Sequence, residues 1–233
     1  MKLRLGEARI PVHRLHTRIT TLEALMEGFD PGELITISGL TKHGKTLLAQ
    51  TLTKHFCDMR YYPLWFSYEV PARQFLNQFP SLPIFYLPDK LKAHDLNWVE
   101  DRIDEARAKY DVRVCFIDHL HFLFDMVRSR NTSLDIGNVV RSLKRFAVEK
   151  EMVIFLLCHL AKIKKGEDPS YFDLRDSSLI AQESDSVLMV KRTEEEGDNT
   201  ALIKVEFHRR TGVMDKLVKV VKWQGYLWER KEA

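Results

Sequence analysis

Short apolar runs alternate along this chain with longer stretches in which apolar residues return every three or four positions. The first run, "LITIS", covers Leu34–Ser38. Residues 45–60 follow, with Leu48, Leu52 and Met59 on one helical face and Phe56 beside it. "PLWFSY" (63–68) is strand-like. Asp95 stands as a helix cap before Leu96, Val99, Ile103 and Ala106, which are spaced three or four apart. "VRVCFID" (112–118) is nearly continuous in apolar residues, as expected of a strand buried on both faces. Residues 134–150 are helical through Val139, Val140, Leu143, Phe146 and Ala147, and "MVIFLLCH" (152–159) and "SVLMVKR" (186–192) are two further strands. Strand followed by helix, repeated, predicts βαβ units and an α/β fold with a mainly parallel sheet. The end of the chain differs: "ALIKVEFHRR" and "KLVKVVKW" flank "TGVMD" with no helix between them. That pattern predicts a C-terminal antiparallel hairpin at one sheet edge, preceded by an acidic turn, "EEEGDN" (194–199).

Residues 1–20 are basic and irregular, and read as a linker, an arm packing on a neighbour, or a solvated tail. No repeat or low-complexity tract breaks the remainder, so 21–233 reads as one domain. The 233 residues, 45% of them hydrophobic, suffice for one large core. A formal net charge of +3 leaves any nucleic-acid role to local patches. Cys57, Cys115 and Cys158 are scattered through apolar runs without a CxxC pair, which points to core packing rather than to a metal cluster or disulfides. The N-terminus "MKLRLGEARI" has no apolar signal core, and "MVIFLLCHLA" is too short to span a bilayer. A reducing setting with no membrane partner is the expectation, the cytoplasm of a bacterial or phage-infected cell ahead of a mitochondrion.

The candidate chemistry begins at "GLTKHGKT": Gly39, Leu40, Thr41, Lys42, His43, Gly44, Lys45 and Thr46, with Leu47 behind them. It fits G-x-x-x-x-G-K-[ST], and it lies between a strand and a helix, where a phosphate-binding loop must lie. Backbone N–H groups of such a loop and the helix N-terminus face the phosphates. Lys45 reaches the β- and γ-phosphates, and Thr46 ligates Mg2+. The other buried strands end in polar residues: Glu69 after "WFSY", Asp118 after "VCFI", His159 after "IFLLC". A lone polar residue there is ordinarily just the start of a loop, and His159 alone could be a core histidine. Three beside a phosphate loop point to a site at the carboxyl edge of the sheet. Asp118 can hold Mg2+, Glu69 can take a proton from an attacking water, and His159 can contact the γ-phosphate.

"PLWFSYEVPARQF", "VCFIDHL", "RSLKRFAVEKEMVIFLLCHLAK", "DLRDSSLIAQESDSVLMVKR" and "HRRTG" occur in the order found in DnaB-like hexameric replicative helicases. Over roughly residues 18–230 the chain resembles that family, and is most similar to the helicase half of phage primase-helicases and to Twinkle. The resemblance implies a RecA-like P-loop NTPase core that uses ATP or another NTP with Mg2+, moves on single-stranded DNA, and assembles as a ring-shaped homo-oligomer, a hexamer. It implies that Lys45 and Thr46 are the Walker A pair, Glu69 the catalytic glutamate, Asp118 the Walker B aspartate and His159 the γ-phosphate sensor. Arg209, with Arg210 adjacent, corresponds to the arginine finger that enters a neighbour's site. Arg192 corresponds to an arginine that stacks on the nucleotide base. Arg175, Asp176 and Ser178, in "LRDSS", correspond to a channel loop that holds the DNA backbone, with serine at 178 where the family has glycine. The chain lacks the family's primase and collar domains, which makes it an excised domain or a minimal helicase and leaves room for a separate primase or loader.

Two further segments, 125–133 and 161–171, carry Arg128, Arg130, Lys162, Lys164 and Lys165. They suit sequence-independent phosphate contact, or are ordinary solvated loops. The same core motifs also serve a RecA- or KaiC-like DNA-binding ATPase that does not unwind, a loading factor with a degenerate site, or a small-molecule kinase. Glu69 and Asp118 argue against the degenerate site, and no acceptor pocket for a kinase is legible.

Overall fold

The computed structural model describes residues 13–124, 131–160, 170–174, 178–193 and 199–229. They form one eight-stranded sheet with helices on both faces. In chain order the elements are α1 (Thr20–Met26), β1 (Leu34–Ser38), α2 (Lys45–Asp58), β2 (Leu64–Ser67), α3 (Ala72–Leu76), α4 (Leu96–Tyr110), β3 (Val114–Asp118), α5 (Thr132–Glu149), β4 (Val153–Leu157), α6 (Ser178–Glu183), β5 (Ser186–Arg192), β6 (Thr200–His208), β7 (Val213–Trp223) and β8 (Tyr226–Glu229). The sheet order is β2-β3-β4-β1-β5-β6-β7-β8. The first five are parallel, and β6, β7 and β8 add in antiparallel fashion.

Side-chain alternation along the central strands feeds two cores. Ile35, Ile37, Phe116, Phe155 and Val190 meet Leu48, Leu52 and Phe56 of α2 and Leu22 and Met26 of α1. On the other face, Leu34, Cys115, Ile117, Ile154 and Leu156 meet Val99 and Ile103 of α4, Val140 and Leu143 of α5, and Ile180 of α6. Both faces being covered explains why the strands read as unbroken apolar runs. Trp65, Phe116 and Phe155 are in register across β2, β3 and β4. Their rings stack at 4.6 Å in both pairs, an aromatic row that ties those strands beyond their backbone ladder. Among the described residues no helix is long and apolar enough to cross a membrane. Cys115 and Cys158 are buried, Cys57 is half-buried, and all three are free thiols.

The helix expected at 134–150 starts at Thr132, because Asn131 caps it by accepting from the Leu134 N–H. Asp95 caps α4 as anticipated, accepting from Trp98 at 2.9 Å. The expected C-terminal antiparallel hairpin is β6 and β7, and "YLWE" adds a third strand, β8, after a tight turn at Gln224 and Gly225, both with positive φ. Within the segment read as an arm, Leu15 and Ile19 are buried in the core and Leu15 pairs with Phe29. Residues 1–12 and most of 194–199 lie outside the described residues.

Candidate active site

Strand register brings the three polar strand ends to one level. Ser67 pairs with Asp118, Asp118 with Leu157, and Leu157 with Ile37, so β2, β3, β4 and β1 all end together. The hydroxyl of Ser38 donates to the Cys158 carbonyl at 3.0 Å, which fastens the start of the loop to the end of β4. Gly39 then has φ of 144°, and a Cβ there would lie 2.2 Å from the Val190 carbonyl oxygen. Only glycine lets the loop leave the sheet so close to β5. Gly44 at the N-cap of α2 has φ of 105°, but a Cβ would meet nothing nearer than a Val190 methyl at 3.6 Å. There the backbone conformation, rather than space, calls for glycine.

Lys45 folds back into the loop, its Nζ donating to the carbonyls of Gly39 at 2.9 Å and Leu40 at 3.1 Å. Burial lowers its pKa, opposed by Glu69 and Asp118. Thr46 donates its hydroxyl to Asp118 Oδ2 at 3.2 Å, so the first turn of α2 and the end of β3 are already joined. Burial pushes the Asp118 carboxyl up to about 7, with Glu69 adding to the rise while Thr46 and Lys45 oppose it. A threonine hydroxyl and a carboxylate are the oxygen donors that a hard cation such as Mg2+ takes.

Glu69 stands just past β2, held by the Tyr68 N–H donating to the Asp118 carbonyl at 2.7 Å. Its carboxylate is about half exposed and approaches His119 Nδ1 at 3.7 Å. The His119 ring in turn packs 4.3 Å from the His159 ring, and His121 lies 6.2 Å from His159. Burial pushes His119 down to about 3, with His159, His121 and Lys45 contributing, so its ring is neutral. The sequence reading overlooked His119 and His121. Their signal was their place in "IDHLHF", two alternate positions immediately after Asp118.

On the other side of the loop, His43 Nδ1 accepts from the Arg192 N–H at 3.1 Å. Next to this contact lies a cavity of about 200 Å³ whose walls include Lys42, Leu47, Arg192, Thr200 and Lys222. Arg192 is thus beside the loop, and Lys222 of β7 is a wall residue that the sequence alone did not single out.

Residues 76–221 match the family described as DnaB-like helicase C terminal domain. The chain belongs to that family. It is 28% identical to the replicative DNA helicase DnaB of Mycoplasma genitalium over an alignment covering 79% of this chain and 49% of the relative. The solved ATPase domain of a DnaB-like phage helicase superimposes with a TM-score of 0.84 at 18% identity, covering 94% of this chain and 92% of that one. A DnaB-like replicative helicase, solved in a study of its interactions with primase, gives the same TM-score and identity over 94% of this chain and 62% of that chain. The RecA-like core expected from the resemblance is the fold found. The chain spans about half or less of the length of the curated relatives it matches.

In this DnaB-like domain the two adjacent arginines have separate surroundings. Arg210 donates to Glu33 at 3.0 Å and to the carbonyls of Met26 and Gly28, both at 2.7 Å, so it ties the start of β1 to the end of α1. Arg209 is exposed, with its guanidinium on the Gln182 carbonyl and its N–H on the Asp185 carbonyl. Both follow β6, whose last residue, His208, pairs with Ser186 at the start of β5. The domain's own phosphate loop starts beyond Ser38, level with Met189. Three residues of strand, about 10 Å, therefore separate Arg209 from even the base of that loop, and it lies toward the opposite sheet edge. Of the expected DNA contacts, Arg128, Arg130, Lys162, Lys164, Lys165, Arg175 and Asp176 lie outside the described residues, and Ser178 opens α6. The base of one of these segments is described: Leu160, right after His159, forms a bridge with Leu174.

Proposed function

We propose that the chain is the ATP-driven motor domain of a replicative-type DNA helicase, moving on single-stranded DNA within a ring of identical subunits, a hexamer, in the cytoplasm of a bacterial or phage-infected cell. The observation that carries this reading is the gathering of Lys45, Thr46, Asp118, Glu69 and His159 at one carboxyl edge, with Thr46 already bonded to Asp118. Thr46 and Asp118 would hold Mg2+, which would supply charge neutralisation for the phosphates. Lys45 exchanges its two loop carbonyls for phosphate oxygens. Glu69 accepts the proton of the attacking water. His159 contacts the γ-phosphate, and Arg192 lies along the base at the cavity beside His43. Arg209 reaches the γ-phosphate of the neighbouring subunit.

Loss of the γ-phosphate contact at His159 would shift Leu160, which is bridged to Leu174. A DNA contact in the segment between them would thereby follow the nucleotide state. A separate primase or loader is the expected partner of the whole assembly. The test is Glu69→Gln, which keeps size but cannot take the proton. Nucleotide should still bind while ATP turnover falls ~10²–10⁴-fold, the usual worth of a general base. Unwinding of a forked duplex by the unaltered chain separates a helicase from a DNA-dependent ATPase that does not unwind. Retained turnover in Glu69→Gln would remove that residue from the mechanism.

A further inference from the structure

We propose that Glu69, His119 and His159 form a binding site for a divalent transition ion of the zinc class, distinct in chemistry from the oxygen-donor Mg2+ site at Thr46 and Asp118, and that its occupation holds the motor idle. The three side chains each offer one ligand atom, and these atoms lie within 4.8 Å of one another. Two come from imidazoles, which favour zinc, nickel or copper, whereas a magnesium ion prefers carboxylates, phosphates and water. Zinc bound at ~2.0–2.1 Å in a tetrahedral set needs its ligands on the order of 3.4 Å apart. The Glu69 carboxylate and His119 Nδ1 are already 3.7 Å apart. Glu69 is about half exposed and can swing the remaining distance without disturbing the core.

A second observation points the same way. His119 Nδ1 is buried and has no hydrogen-bond partner. A buried ring nitrogen without a partner is costly, and a metal ion facing Glu69 would satisfy it. Three protein ligands leave a fourth position to water, the arrangement of an open zinc site. With one Glu69 oxygen on the ion, the carboxylate is a weaker base and is held away from the attacking water, and His159 is withdrawn from the γ-phosphate. The inhibitory half of this inference rests on the roles given to Glu69 and His159 above. The binding half does not.

The two halves are separated by measuring binding directly. Zn2+ titrated calorimetrically into the nucleotide-free chain, in excess Mg2+, should give one equivalent of binding. Co2+ in its place should develop the intense visible bands of a four-coordinate ion. His119→Ala should weaken zinc binding by more than the roughly 10- to 100-fold that loss of an outer-shell partner costs. Glu69→Gln, on an exposed side chain that folding does not need, should weaken it as well. No binding in the unaltered chain, or binding in both variants as tight as in the unaltered chain, would overturn the site. ATP turnover at fixed Mg2+ should fall as Zn2+ fills the site and recover on chelation. Turnover indifferent to saturating Zn2+ would overturn the inhibition. A chain with no ATP turnover at all would instead count against the proposed motor function, and calorimetry would still decide the metal site.

Discussion

Two carboxylates at opposite edges of the sheet are buried to nearly the same degree and respond in opposite ways. The Asp118 side chain is 6% exposed and that of Glu33 is 9% exposed. Burial alone raises both. At Glu33 it is outweighed by the His208 ring, the Asp30 N–H and Arg210, so the carboxyl lies below its ordinary value. At Asp118 only a threonine hydroxyl and a lysine oppose it, Glu69 adds to it, and the carboxyl rises to about 7. One edge has been supplied with every partner its charge needs. The other has been left short of positive charge, as a site must be if its missing charge arrives with a ligand.

The largest expected effect tests which edge Arg209 serves. Arg209→Ala should leave stability and nucleotide binding nearly unchanged while lowering turnover ~10³–10⁵-fold, the worth of an arginine at the developing phosphate charge. Mixing it with Lys45→Ala after verified subunit exchange should restore part of the ATPase rate, because some interfaces then pair an intact Lys45 with an intact Arg209. No recovery at any ratio would remove the shared site.

Arg210→Ala should do the reverse. It leaves Glu33 buried with fewer partners, and urea denaturation should show a loss of about 3 kcal/mol, the low end for breaking a buried pair because His208 and the Asp30 N–H remain. Per-subunit turnover of the folded fraction should hardly change. An Arg210→Ala protein of undiminished stability would mean the acidic cluster needs no counter-charge.

The smallest effect is a pH dependence. A carboxyl whose folded pKa exceeds its unfolded one binds more protons when folded. Asp118 therefore contributes stability below its unfolded pKa and loses it as pH rises through about 7. Glu33, shifted down, contributes stability above its unfolded pKa and loses it as pH falls through its lowered value. Asp118→Asn should thus flatten the nucleotide-free stability profile by about 2 kcal/mol between pH 5 and 7. If chemical denaturation of the two proteins at these pH values gives parallel curves, Asp118 is not left charged in isolation.

The carboxyl edge was legible because each of its strands is buried on both faces. Leu34–Ser38 and Ser186–Arg192 could be read to the residue, and a polar residue closing such a run has to face the edge. The loop was legible because Gly39 and Gly44 are demanded by backbone. The opposite edge was not legible. Arg209 and Arg210 are neighbours of identical chemistry, and what divides them is Glu33, 177 positions from Arg210 in the chain. Likewise β8 is four residues, too few to show a period, and only the turn at Gln224–Gly225 hinted at it. His119 was hidden by standing next to a stronger motif residue.

The separation between Arg209 and the phosphate loop within one subunit also sets a counting rule for assemblies. If a complete site takes its loop from one copy and its arginine from the next, association is head to tail, and it must either close or continue indefinitely. An open row always has one loop at its end with no donor. A closed circle has none. Turnover per subunit then rises with the size of an open row and jumps on closure, so specific activity plotted against particle size would show whether the assembly has ends.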